Sequence, residues 1–350
     1  MSRPDNTKSD ISVDEQVAKI FAWRRGFNTI FLIDIGVDLG LFKALAEEPD
    51  RTAADIAEKL KFHAHYVDVW CMTAYGLGLL DADEEERRFR LAPHMDKILA
   101  SPGHPRDLTG YVRLGTAFLT EDFARCREAF HTGETVPFQG RSHAFADTIG
   151  EAIGGLHAAT ARKLLPDLEG MRKILESGGR VLEVGCGTGR FLMQLTGAWP
   201  NAHCTGADID PTGIEIARNK VAMAGLEARV EVIESDVAKL PAASYDAVVM
   251  IEVLHEIAPQ IRQHVIDGCA HVLKPGGWLL IVDETYPSTL EEARRPEFQF
   301  PLQTGFEELT WGNVIPTREE QERLFANAGF VNAADRSIIG EGFTILSVRR

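Results

Sequence analysis

Positive charge is scarce in this sequence. Its 350 residues carry 37 Lys and Arg against 52 Asp and Glu, a formal net charge of −15. Nucleic-acid binding needs a basic surface that displaces counterions, so this balance argues against a polyanionic partner. Cysteine is also sparse. Cys71, Cys126, Cys186, Cys204 and Cys269 are odd in number and lack metal-ligand spacing, which implies reduced thiols in a cytoplasmic protein. No apolar run approaches membrane-spanning length, and residues 1–16 are polar with no signal core. A globular composition remains, 45% hydrophobic and 25% charged, with length enough for two cores. There are no repeats and no low-complexity tract.

The densest signal is Gly185-Cys186-Gly187-Thr188-Gly189, placed between the apolar run Val181-Leu182-Glu183-Val184 and the helix-compatible Arg190 to Leu195. Strand, tight turn and helix in that order present a nucleotide-like cofactor to the carboxyl end of a buried strand. Glycine serves there because the backbone takes positive φ and a ligand approaches where a Cβ would stand. A dinucleotide site uses G-x-G-x-x-G with an acid about 20 positions on. Here the spacing is G-x-G-x-G, and Glu183 precedes the first glycine. Further strand-like runs end at Asp208, at Asp236-Val237 and at Glu252-Val253-Leu254-His255-Glu256; then Leu273-Lys274-Pro275-Gly276-Gly277 turns into Trp278 to Val282.

This ordered set resembles the class I S-adenosylmethionine-dependent methyltransferases over the C-terminal half of the chain. Upstream, helix, helix and hairpin follow in order. Thr52 to Asp55 opens a helix through Leu60, a second runs from Ala64 to Leu77, and Leu79-Leu80-Asp81 faces Phe89-Arg90-Leu91. That order resembles a winged helix. No Lys or Arg lies between Lys61 and Arg87, while Asp68, Asp81, Asp83, Glu84, Glu85 and Glu86 add negative charge, so DNA contact is disfavoured. The whole chain is similar to plant-type O-methyltransferases and their bacterial relatives. The resemblance implies a Rossmann-like α/β sheet, parallel with one antiparallel strand, plus an N-terminal, mostly helical winged-helix domain. The expected division is a disordered tail over 1–12, a winged-helix-like dimerisation domain over 13–104, a helical connector over 105–175 forming part of the active-site roof, and an S-adenosylmethionine-binding catalytic domain over 176–350. Trp23, Phe27, Phe31 and Trp70 would suit a homodimer seam, or equally an internal core. Breaks are expected at Pro137 to Gly140 and at Gly154-Gly155. Residues 286–316 read as a long irregular loop, followed by a capping box at Thr317 to Glu320.

The resemblance also assigns roles. Gly185, Gly187 and Gly189 would let the loop pass beneath the methionine part of S-adenosylmethionine, whose product is S-adenosylhomocysteine, and Glu183 would orient that loop and the cofactor's ammonium. Asp208 would accept the ribose hydroxyls, Asp236 the adenine amino group, and Ile209 and Val237 would sandwich the ring. Glu252 completes the expected cofactor set, and Asp210 is read as a helix cap. His255-Glu256 sits where plant-type relatives place a general base and its acidic neighbour, with Asp283, Glu284 and Glu307 as candidates to orient it. Tyr111, Arg113, His157, Tyr286, Phe300, Gln303 and Trp311 are expected at the acceptor, and no metal is expected. The leading function is metal-independent O-methylation of a small molecule. A base-free S-methylation, a cofactor-sensing winged-helix regulator and a dehydrogenase are the alternatives.

Overall fold

The computed structural model describes residues 11–83, 85–138, 140–330 and 333–350. Residues 1–10 of the expected tail lie outside that set. The chain divides into two compact units, residues 1–102 and 103–350.

In the first unit, Ser12 caps the helix Val13–Asp38. Its hydroxyl accepts the Glu15 N–H while the Glu15 carboxylate accepts the Ser12 N–H. Thr52 and Asp55 form the same box at the helix Ala53–Leu60, which precedes the helix Ala64–Gly76. Strands β1 (Arg51–Thr52), β2 (Leu80–Asp83) and β3 (Arg88–Leu91) pair antiparallel in the order β1-β3-β2, which completes a winged-helix arrangement. Trp70 belongs to the interior of this unit. Its ring meets Phe42 edge-on, and its indole N–H donates to the Leu32 carbonyl at 3.0 Å, so it lies on no seam. Trp23 and Phe27 are more than half exposed on the long helix, of which only Ile33 and Gly36 are buried.

The second unit is built on a seven-stranded sheet. Its strands are β4 (Arg180–Val184), β5 (His203–Asp208), β6 (Val230–Glu234), β7 (Tyr245–Ile251), β8 (Leu273–Asp283), β9 (Asp335–Ile339) and β10 (Phe343–Arg349), in the order β6-β5-β4-β7-β8-β10-β9. Only β10 runs against the rest. Helices cover both faces, which is why β4 and β7 read as continuous apolar runs rather than alternating ones. The chain order reverses between β4 and β7, and ligands of such sheets bind in the crevice at the carboxyl ends there. No helix among the described residues is long and apolar enough to cross a membrane.

Three local expectations are corrected. The stretch 286–316 contains a helix, Gln299–Trp311: Pro301 is tolerated in its first turn, where the N–H has no partner to lose, and Gly312 at φ 89° ends it. The break expected at Gly154-Gly155 falls one residue earlier, at Ile153, between the helices His143–Ala152 and Gly154–Ala159. At Thr317 only half of the capping box forms. The Thr317 hydroxyl accepts the Glu320 N–H, but the Glu320 carboxylate is taken by Arg262 at 2.8 Å.

Candidate active site

The glycine loop leaves β4 with Gly185, Gly187 and Gly189 all at positive φ. Gly185 is required by contact as well. A Cβ there would stand 2.5 Å from the Val253 side chain, so the turn after β7 rests directly on the loop. At Gly187 (φ 46°) no atom lies within 4 Å of a Cβ position, leaving backbone open to a ligand. Beneath the loop, Glu183 is buried with Oε2 lacking any partner. Burial and the Asp208 charge push its carboxyl well above the usual range. An orphaned buried carboxyl beside an open glycine is a fit for an ammonium-bearing ligand such as the methionine end of S-adenosylmethionine.

Asp208 holds the loop from the end of β5. Its Oδ2 accepts the Gly187 N–H at 2.7 Å, and its Oδ1 accepts those of Ile209 and Asp210. Burial raises its pKa against these bonds. Ile209 is exposed and Val237 is buried. Asp210 caps the helix Pro211–Met223 through Thr212 and Gly213. Asp236 is already engaged, on the Ala238 N–H at 2.9 Å and on His264 Nε2 at 2.8 Å. These bonds outweigh its partial burial and hold the carboxyl below its ordinary value. Each oxygen keeps a second lone pair for a ligand donor.

His255 is buried, and its partner is Asp283 rather than the neighbouring Glu256. Nδ1 lies 2.8 Å from Asp283 Oδ1, 3.3 Å from Glu284 Oε2, and Nε2 lies 3.6 Å from Glu308 Oε1. Asp283 is itself fixed, accepting the N–H groups of Val253, Leu254 and Glu284. Burial depresses an imidazole's pKa, but Asp283, Glu308 and Glu284 together win and raise that of His255 well above its ordinary value. Burial pushes the surrounding acids upward: Glu252 and Glu256 well above the usual range, Glu284 to about 8 and Glu307 to about 7. Of the orienting candidates, Glu307 yields its place at the imidazole to Glu308. Both sit on the helix Gln299–Trp311, which was not anticipated, so their facing could not be read from the sequence.

The expected acceptor residues meet different partners. Tyr111 belongs with the cluster: burial, then Glu252, Glu284 and Glu307, lift its phenol pKa well above 10.0. Arg113 lies 3.8 Å from Glu151. His157 is buried with Nδ1 unpartnered, and burial takes it down to about 3, so it is neutral. Tyr286 packs at Gly305, and Gln303 is exposed. Phe300 and Trp311 are packing residues. Phe300 meets Phe343 of β10, and Trp311 packs on Phe138 and Phe145 while donating to Asp122 at 2.9 Å.

Arg262 was missed because no motif marks it. Fully buried, it donates to the carbonyls of Ile257 (2.9 Å), His255 (3.3 Å) and Val314 and to Glu320. It thereby ties the turn after β7 to residues beyond β8. Arg262→Ala should cost about 3–5 kcal/mol of stability, the usual loss when one partner of a buried ion pair is removed. Urea unfolding checks this; a change under about 1 kcal/mol would contradict the role.

Residues 181–277 match the family model described as a methyltransferase domain. The 3-hydroxy-5-methyl-1-naphthoate 3-O-methyltransferase of Streptomyces sahachiroi is 28% identical over 70% of this chain and 70% of its own length. A ubiquinone biosynthesis O-methyltransferase of Xylella fastidiosa is 37% identical over 31% of this chain, which spans 44% of that relative. Human N-acetylserotonin methyltransferase, solved with S-adenosylmethionine, superposes with a TM-score of 0.77 at 19% identity, covering 98% of this chain and 99% of that one, a likeness of fold. This chain therefore carries a methyltransferase domain over residues 181–277, on a fold shared with solved methyltransferases.

Proposed function

We propose that the chain methylates a hydroxyl oxygen of a small molecule and that His255 removes the hydroxyl proton. The observation that carries this reading is the buried His255–Asp283 pair, in the turn whose Val253 abuts the glycine loop. The cofactor supplies an electrophilic methyl group, so the protein's task is to bind, align and take up a proton. Asp283 accepts the Nδ1 hydrogen, which leaves Nε2 as the basic nitrogen. Nε2 would take the acceptor's proton, and Glu308 at 3.6 Å stabilises the resulting imidazolium. Burial of His255 excludes bulk water from that transfer. A thioether acceptor would need no such pair. The Streptomyces relative, named for methylating a naphthoate hydroxyl, supports an aromatic oxygen as acceptor. Glu183, Gly185, Gly187, Gly189, Asp208, Ile209, Asp236 and Val237 are proposed to hold the cofactor. Isotope tracing of the methyl group into a panel of phenols, thiols and thioethers, with mass spectrometry locating it, tests the reading; label on sulfur alone would overturn it.

The first unit is proposed to form a homodimer through the helix Val13–Asp38, where Val17, Ile20, Phe21, Trp23 and Phe27 are exposed. An apolar face of that size in water favours association. Sedimentation should give a dimer at micromolar concentration and a monomer for Trp23→Glu/Phe27→Glu. A wild-type monomer would remove the seam.

A further inference from the structure

The glycine loop is bracketed in sequence by opposite charges, Glu183 before it and Arg190 after it. Arg190 opens the helix Arg190–Ala198, whose first N–H groups have no helical partners and favour an anion. Its Nη2 donates to Glu151 at 3.1 Å, but its Nε is buried without an acceptor among the described residues. Glu151 is shared, because Arg113 stands 3.8 Å from its other oxygen, so one negative charge faces two guanidiniums. The helix His143–Ala152, which supplies Glu151, passes Arg190 on a glycine. A Cβ at Gly150 would stand 3.0 Å from Arg190 Nε, so a residue poorly suited to a helix interior leaves room there. His157 follows on the helix Gly154–Ala159. It is buried with Nδ1 unpartnered, and burial, then the Arg190 charge, keeps its ring neutral.

Buried polar atoms are nearly always hydrogen-bonded in a folded chain, so orphans at both ends of one loop call for a ligand. Their types specify it. Glu183 Oε2 accepts, Arg190 Nε–H donates with a positive charge, and a neutral imidazole has one N–H to offer from Nδ1. One carboxyl and two donors are the complement of an α-amino acid, which carries an ammonium and a carboxylate on the same carbon.

We propose that His157 and Arg190 bind the carboxylate of the cofactor's amino-acid end, while Glu183 takes its ammonium. This rests on the proposed placement of S-adenosylmethionine at the glycine loop, and it moves His157 from the acceptor, where the sequence put it, to the cofactor. A dinucleotide offers phosphates and no ammonium, so it would leave Glu183 unpaired and be disfavoured. A buried water would satisfy the same atoms without selecting a ligand, and that is the outcome to be excluded.

The test is calorimetric titration of the 350-residue chain with S-adenosylhomocysteine and with its decarboxylated analogue, which keeps the adenosine, the thioether and the ammonium. The wild type should prefer the carboxylate-bearing ligand by about 10²-fold, from two charge-assisted hydrogen bonds at about tenfold each. Arg190→Gln and His157→Leu should each weaken S-adenosylhomocysteine about tenfold and leave the analogue within about twofold of its wild-type affinity. His157→Asn, which returns a side-chain N–H, should recover part of the loss. A wild type with no preference would overturn the inference and leave the atoms to water. So would variants that weaken both ligands alike, as loss of a packing residue does. Asp208→Ala, which acts on the ribose common to both ligands, should weaken them equally. Binding of neither ligand by the wild type would remove the cofactor placement and this inference together, whereas binding of both without preference removes only the inference.

Discussion

His255→Ala should lower turnover of a hydroxyl acceptor by about 10²–10⁴-fold, the range expected for losing a positioned general base. S-adenosylmethionine affinity should be unchanged, because the imidazole faces the acid cluster rather than the glycine loop. Asp283→Asn is the companion variant. It keeps the shape of the carboxylate but withdraws the charge that holds the Nδ1 hydrogen. Turnover should fall, since the preferred tautomer is no longer enforced. The imidazole's titration gives a sign that a merely structural residue would not. Asp283, Glu308 and Glu284 stabilise the charged ring, so the His255 C2 proton should titrate above 6.5. Removing the Asp283 charge should bring that midpoint down. Near-normal turnover in His255→Ala would eliminate the base and favour an acceptor that needs none.

Asp208→Ala should weaken S-adenosylmethionine binding by about 10–10²-fold. Three backbone N–H groups leave its carboxylate one open lone-pair position, and one charge-assisted bond to a ligand hydroxyl at about 1.5–3 kcal/mol amounts to that range. The variant also frees the Gly187, Ile209 and Asp210 N–H groups, so circular dichroism must show an intact fold before the loss is read as binding. Asp208→Asn, which keeps acceptor and shape on one side, should lose less. Equal affinity in wild type and Asp208→Ala would displace the cofactor from the end of β5.

Much of the sheet was legible because buried parallel strands write themselves as apolar runs that end in functional residues: Val181 to Glu183, His203 to Asp208, Tyr245 to Ile251. The glycine loop was legible because its positive φ angles restrict the residue choice. The helix Gln299–Trp311 was not, since Pro301 and Gly305 inside the window read as loop, while the packing of Phe300 and Trp311 that holds it comes from distant segments. The cluster around His255 was legible only in part. His255 announces itself in the turn after β7, but Asp283 and Glu308 reach it from another strand end and another helix, 28 and 53 positions away. Adjacency pointed to Glu256 instead, because consecutive residues of a turn point in different directions. Arg262 gave no signal at all: a single arginine binding carbonyls leaves no pattern in the chain that supplies them.

Calorimetric titration of the unaltered 350-residue chain, with S-adenosylmethionine and in parallel with NAD+, addresses the central claim most directly. The account predicts one S-adenosylmethionine per chain and no heat from NAD+. Binding of NAD+ with none of S-adenosylmethionine would contradict it and return the glycine loop to the dinucleotide reading.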